Sequence, residues 1–222
     1  MDFFSLADDL AVALGSAEAD LRLEQAVYGL DAKDERGLHA VLAERLAGQY
    51  EVAREVHYPS TKGRRLSHRQ RCDLVLSEKG RPLWLDSRPP TLFDPPNPCP
   101  PQEAMWLEVK VAFQFREGNV HHSGYGPQWR QAIVEDLRKM EAEPLIRHAG
   151  LVLVVFNESA AILQKDLEKF EDVLALKEVL AGFRQVRTIE ITERIGHRLC
   201  SVAVWPTVQR SEDEAVVTPS PD

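Results

Sequence analysis

A chain of 222 residues, 44% of them apolar, can bury one substantial core and reads as a single domain with short extensions. A net charge of −8 excludes a protein that wraps nucleic acid over its whole surface, and three scattered cysteines without a CxxC pair support neither a disulfide framework nor a structural zinc site. With no run of about 18 apolar residues and no basic leader ahead of a long apolar segment, a cytoplasmic protein that does not enter a membrane is expected.

Residues 3–14 and 18–28 read as helices broken at Gly15 and Ser16, so that 1–30 forms a helical extension ahead of a main domain over 31–210. A better helix follows in DAKDERGLHAVLAERLAGQY, with Leu38, Val41, Leu42 and Leu46 on one face. Strands are expected at 50–59 and 70–80, and 81–87 offers a hairpin partner for the second. Between the strands runs KGRRLSHRQR, Lys62 to Arg71, with five cations and no acid: either a solvated loop or a phosphate-contacting one. Seven prolines in 88–101 exclude a helix or central strand there and leave an extended insertion.

A strand at 105–113 is followed by a His/Gly-rich loop and a helix over 128–143 that Pro144 ends. Residues 150–157 are the most apolar strand, as a doubly covered central one would be. A long amphipathic helix over 161–183 and two closing strands, 186–193 and 198–206, turning at Ile195 and Gly196, complete the order; 211–222 is acidic and reads as a disordered tail. This order argues for an α/β fold with a mixed central sheet flanked by helices.

The chemistry concentrates in two strands. Alternation in AMWLEVKVAF puts Trp106, Glu108 and Lys110 on one face, with Leu107, Val109 and Val111 on the other. In RCDLVL the same rule groups Arg71, Asp73 and Val75 against Cys72, Leu74 and Leu76. If these strands are neighbours, an Asp, a Glu and a Lys converge, and two adjacent carboxylates suit Mg²⁺ or Mn²⁺. Acid-x-Lys itself is cheap: it occurs also at Asp31-Ala-Lys33, but only Glu108-Val-Lys110 lies in a strand, after an acid-bearing strand and before a helix.

In this arrangement the chain resembles the PD-(D/E)xK nuclease superfamily, with its restriction-endonuclease-like fold, from about Asp34 to Asp136. The resemblance implies a Mg²⁺- or Mn²⁺-dependent phosphodiesterase acting on DNA or, less often, RNA, in defence or DNA processing, alone, as a homodimer or within a larger complex. Asp73, Glu108 and the carbonyl of Val109 would hold the metal, while Lys110 would orient the attacking water and stabilise charge at phosphorus. The family often adds a glutamate from its first helix. At about 100° per residue Glu35 shares the inward face with Leu38 and Glu44 does not, so Glu35 is favoured while Glu44 and Glu55 stay open. Lys62, Arg64, Arg65, Arg69, Arg71 and Gln128 are the candidate nucleic-acid contacts, with Gln131, Asp136 and Lys139 weaker ones. Cys72 stands where the family name has proline, and Asp86 is a competing acid. A nuclease fold without activity, serving as a protein-interaction scaffold, and a plain salt-bridged pair on a half-buried strand are the alternatives. His121 and His122 fit a metal or proton-shuttle role less well than simple exposure. GxSxG, GxGxxG and GxxxxGK[ST] are all absent.

Overall fold

Asp2 starts the first helix: its carboxylate accepts from the N–H groups of Phe4 and Ser5, and α1 (Phe3–Leu23) then runs unbroken through Gly15 and Ser16. The expected break fails because Leu6, Leu10, Leu14 and Ala17 form one buried stripe. Burial of three leucines, at about 1.5–3 kcal/mol each, outweighs the roughly 1 kcal/mol that a mid-helix glycine costs. The structure is a computed structural model, and it describes residues 1–59, 71–86 and 91–211, apart from the side chains of 127–129 and 131–132.

A short 3-10 turn (Leu30–Ala32) leads to α2 (Glu35–Leu46), which Asp34 caps by accepting from the Gly37 N–H. Then come β1 (Tyr50–His57), β2 (Arg71–Glu78), β3 (Met105–Phe113), a small hairpin of β4 (Phe115–Arg116) and β5 (Val120–His121), α3 (Tyr125–Ala142), β6 (His148–Asn157), α4 (Ala160–Leu176), β7 (Gln185–Glu190) and β8 (Leu199–Gln209). Six strands form one mixed sheet in the order β1-β2-β3-β6-β8-β7. All neighbours are antiparallel except β3 and β6, which α3 joins as a parallel pair. The molecule is thus α/β with a mixed sheet. Among the described residues no helix is long and apolar enough to cross a membrane.

Two cores lie on the two faces of the sheet. One gathers Trp106, Leu151, Phe170 and Trp205 with side chains of α3 and α4; the other gathers Leu107, Val109, Val152 and Phe156 with α1 and α2. The helix read as an extension therefore shares the second core. β6, apolar from Ala149 to Phe156, is buried along nearly its whole length between β3 and β8.

Three expectations are corrected. Of the segment 81–87, the described residues 81–86 do not form a hairpin strand with β2, because β2 already has β1 and β3 on its two edges; Leu83 and Leu85 instead pack over the face of β1 and β2, and Leu83 bridges Cys99 at the base of the proline-rich insertion. Cys72 shares the core of Val75 rather than that of Leu74 and Leu76, since strict alternation fails where β2 leaves its partner. The final helix also stops at Leu176, leaving Leu180 and Phe183 exposed.

Gly150 marks the tightest contact in the second core. A Cβ there would meet the Phe3 ring at 2.4 Å and the Trp205 carbonyl at 2.9 Å. Gly150→Ala is expected to lose about 1–3 kcal/mol by forcing α1 off the sheet, read as a lower midpoint in urea unfolding.

Candidate functional site

The β2–β3 ladder pairs only Leu74 to Leu76 with Leu107 to Met105, and beyond it the two strands splay. In the gap the Asp73 carboxylate takes over a ladder bond: Oδ2 accepts from the Val109 N–H at 2.8 Å. The Cys72 thiol points to the Leu107 carbonyl at 3.3 Å, and Glu55, opposite Asp73, sits at φ +51° outside the ladder. Splaying turns Asp73 toward the face that Glu108 and Lys110 already share.

Lys110 is the hub. Its Nζ lies 3.3 Å from Asp136, 3.6 Å from Asp73, 3.6 Å from Glu108 and 3.9 Å from Glu35. Glu35 arrives from the first turn of α2 and Asp136 from the middle of α3, so four separate elements supply the acids. Lys139 pairs with Asp136 at 2.7 Å. Among the described residues, four carboxyl groups surround two ammonium groups, an excess of acid that suits a divalent cation.

Glu108 is the most buried member, 3% exposed, with Oε1 accepting from the Tyr58 hydroxyl at 2.8 Å. Tyr58 in turn stacks on Trp106. Burial, then the neighbouring Asp73 carboxylate, push the Glu108 carboxyl well above its ordinary range. Burial pulls the Lys110 ammonium down, but Asp73, Glu108, Asp136 and Glu35 together outweigh it and hold the group charged. Burial, then Cys72 and Glu108, likewise keep the Tyr58 hydroxyl protonated.

His39, buried on α2, completes the far side. Its Nε2 lies 3.1 Å from the Val109 carbonyl, which can only accept, so Nε2 donates, while Nδ1 faces Asp73 Oδ1 at 3.9 Å. His39, Glu55 and Asp73 offer ligand atoms all within 4.8 Å of one another. A metal there would find carboxylate oxygens of Asp73 and Glu55 and the imidazole of His39 in reach, beside the Val109 carbonyl.

Asp73, Glu108, Lys110 and Glu35 are thus brought together, as is Asp136. Glu44 is exposed on the outer side of α2, and Asp86 is exposed and is not among the acids around Lys110. Arg71 donates to His57 two residues from Asp73. Lys62, Arg64, Arg65 and Arg69 lie outside the described residues, as do the side chains of Gln128 and Gln131. His121 is exposed against Phe115, and His122 meets Arg116, away from the cluster. His39 and the role of Tyr58 escaped the sequence reading. The same angular argument that favoured Glu35 would have found His39, about 100° from Leu38 on the inward face.

In metal-free protein, a folded-state pKa raised at Glu108 gives stability that is full below the ordinary value of 4.5 and is lost as pH rises through the folded value. Glu108→Gln removes that loss. Its melting temperature should exceed that of the wild type at pH 8 and approach it near pH 4.5, measured by calorimetry in chelator.

Comparison with family models, with curated proteins and with solved structures found no match.

Proposed function

We propose that the chain is a metal-dependent nuclease of the restriction-endonuclease-like type, hydrolysing phosphodiester bonds in nucleic acid, DNA before RNA. The observation that carries this reading is the convergence of Asp73, Glu108, Glu35 and Asp136 on Lys110 beside the β2–β3 splay, with acids outnumbering ammonium groups among the described residues. An arrangement built for stability alone would not gather that excess in a partly buried cleft, because each uncompensated charge costs several kcal/mol.

Asp73 and Glu108 each keep one oxygen tied to the protein, to the Val109 N–H and to Tyr58, and offer the other to a cation. These tethers orient the ligands before any ion arrives. What Mg²⁺ or Mn²⁺ supplies at such a site is polarisation of a phosphoryl oxygen and acidification of a bound water. Lys110, kept charged, holds the water and counters charge gathering at phosphorus; Glu35, 46% exposed at the mouth, can take a proton from that water and release it to solvent. The acidic chain meets phosphates through Arg71 and the basic run that precedes it. An imidazole beside the oxygens favours Mn²⁺ over Mg²⁺.

One observation favours the scaffold reading: Lys110 already serves as counter-ion to four acids. Calorimetric titration separates the two. Mn²⁺ should bind the wild type more tightly than Mg²⁺, and Asp73→Ala and Glu108→Ala should abolish binding; failure of the wild type to bind either ion leaves the scaffold.

With metal bound, Lys110→Ala should lower cleavage of DNA or RNA by about 10²- to 10⁴-fold while retaining metal affinity, measured by gel assay under single-turnover conditions. Unchanged cleavage would remove the lysine from the chemistry.

A further inference from the structure

Beside the acid cluster, and separate from it, lies a cleft of about 970 Å³ between the start of α2, the β4–β5 hairpin and the turn before β8. That volume is at the upper end for a small-ligand site. Its walls combine two chemistries. Tyr28, Phe113 and Phe115 supply aromatic surface, and Tyr28 is 64% exposed at the lip. Lys33 and Arg116 supply positive charge, and neither has a carboxylate partner among the described residues.

The acids in the walls, Asp31, Asp34 and Glu117, equal the cations Lys33, Arg116 and Arg194 in number, but two of them are already engaged. Asp34 is spent on the Gly37 N–H, and Asp31 is buried against His197 at 3.0 Å. Only Glu117 is exposed and uncommitted. In a chain of net charge −8, a wall without net charge is locally less acidic, and Lys33 and Arg116 face it without a carboxylate partner among the described residues.

Position links the cleft to the cluster at two points. Lys33 and Asp34 line it, and the next residue, Glu35, reaches Lys110. On β3, Phe113 lies three residues past Lys110, about 10 Å along the strand. Phe113 lies on the opposite face of β3 from Lys110, so the route between them runs by way of Glu35 to Lys33 at the cleft.

We infer that this cleft seats an unpaired nucleotide of the substrate, its base on Tyr28 and its phosphates at Lys33 and Arg116, so that the substrate is single-stranded nucleic acid or the single-stranded end of a duplex. The inference rests on the nuclease reading of the adjoining site. In an intact duplex the faces of the bases are covered by their neighbours, and meeting an aromatic wall requires unstacking. In a single strand the faces are open, and stacking on aromatic side chains is tolerant of sequence.

The test is fluorescence anisotropy in EDTA, where no cleavage occurs, with a 12-nucleotide labelled single strand, a blunt hairpin duplex of the same sequence, and thymidine monophosphate as competitor. The wild type should bind the single strand at least about 10-fold more tightly than the duplex. Tyr28→Ala should weaken single-strand binding about 5- to 50-fold, with Tyr28→Trp restoring it. Lys33→Glu with Arg116→Glu should weaken binding and flatten its salt dependence. These three side chains are at the surface of the cleft, and thermal melts check that the variants fold.

Equal single-strand binding by Tyr28→Ala and the wild type, a preference for duplex, or no binding of either oligonucleotide overturns the inference. Competition by the mononucleotide at the affinity of the full strand also overturns it, making the ligand a free nucleotide. Metal titration and cleavage on the same preparations separate the two claims. A wild type that cleaves, with a Tyr28→Ala variant that binds and cleaves single strands as well, loses the cleft and keeps the nuclease. A wild type that binds single strands through Tyr28 but holds no metal keeps the cleft and loses the nuclease.

Discussion

One hydrogen bond, from the Val109 N–H to the Asp73 carboxylate, governs the shape of the site. A sheet that parts company with its neighbour exposes unpaired backbone groups, and a buried one costs as much as a lost hydrogen bond. Here a side chain fills the vacancy on the N–H, and His39 fills it on the carbonyl of the same residue. β2 and β3 can therefore splay without penalty, and the opening admits Glu35 from one helix and Asp136 from another. The acid that permits the gap is also one of the acids that line it. Geometry and chemistry are thus coupled through a single residue.

The cluster is costly in isolation. Glu108 is nearly sealed from water, and the neighbours that would compensate it are mostly acids. Such a site needs a scaffold with stability to spare, and the two cores on either face of a six-stranded sheet provide it. The strands bearing the site are held most firmly where they are apolar: Trp106 and Leu107 are fully buried, one in each core. Rigid support close to strained electrostatics keeps the carboxylates together when repulsion would part them.

Much of this was legible in the sequence because period-2 alternation is rigid in a strand. The bounds of β3 and the shared face of Glu108 and Lys110 follow from it directly. So does the doubly covered character of β6, from its unbroken apolar run. Glu35 followed from helical angle, and His39 could have. Alternation misled at Cys72 because it presumes a continuous ladder, and the ladder to β3 ends at Leu74, two residues away. The Gly15-Ser16 break was misread because local propensity yields to burial. Tyr58 lies just past the end of β1, where no periodicity applies and only the folded chain shows that its hydroxyl meets Glu108. The buried Asp31–His197 pair, whose Nε2 accepts from the Phe115 N–H, joins residues 166 positions apart and has no local signature.

The way α1 is held has a bearing on how the chain acquires its fold. Glu18 accepts from the Thr192 N–H and pairs with Arg194, and Arg22 donates to Thr192 and to the Glu190 carbonyl. The leucine stripe of the same helix rests on strands near the other end of the chain. During synthesis, then, the first helix can meet α2 early, but the part of its surface that rests on β7 and β8 must wait for about 170 more residues. Loop closure over that distance is entropically expensive and slow to find. On the ribosome this protein would remain a client for chaperones until β7 and β8 leave the exit tunnel, and its final locking step would come after synthesis rather than during it.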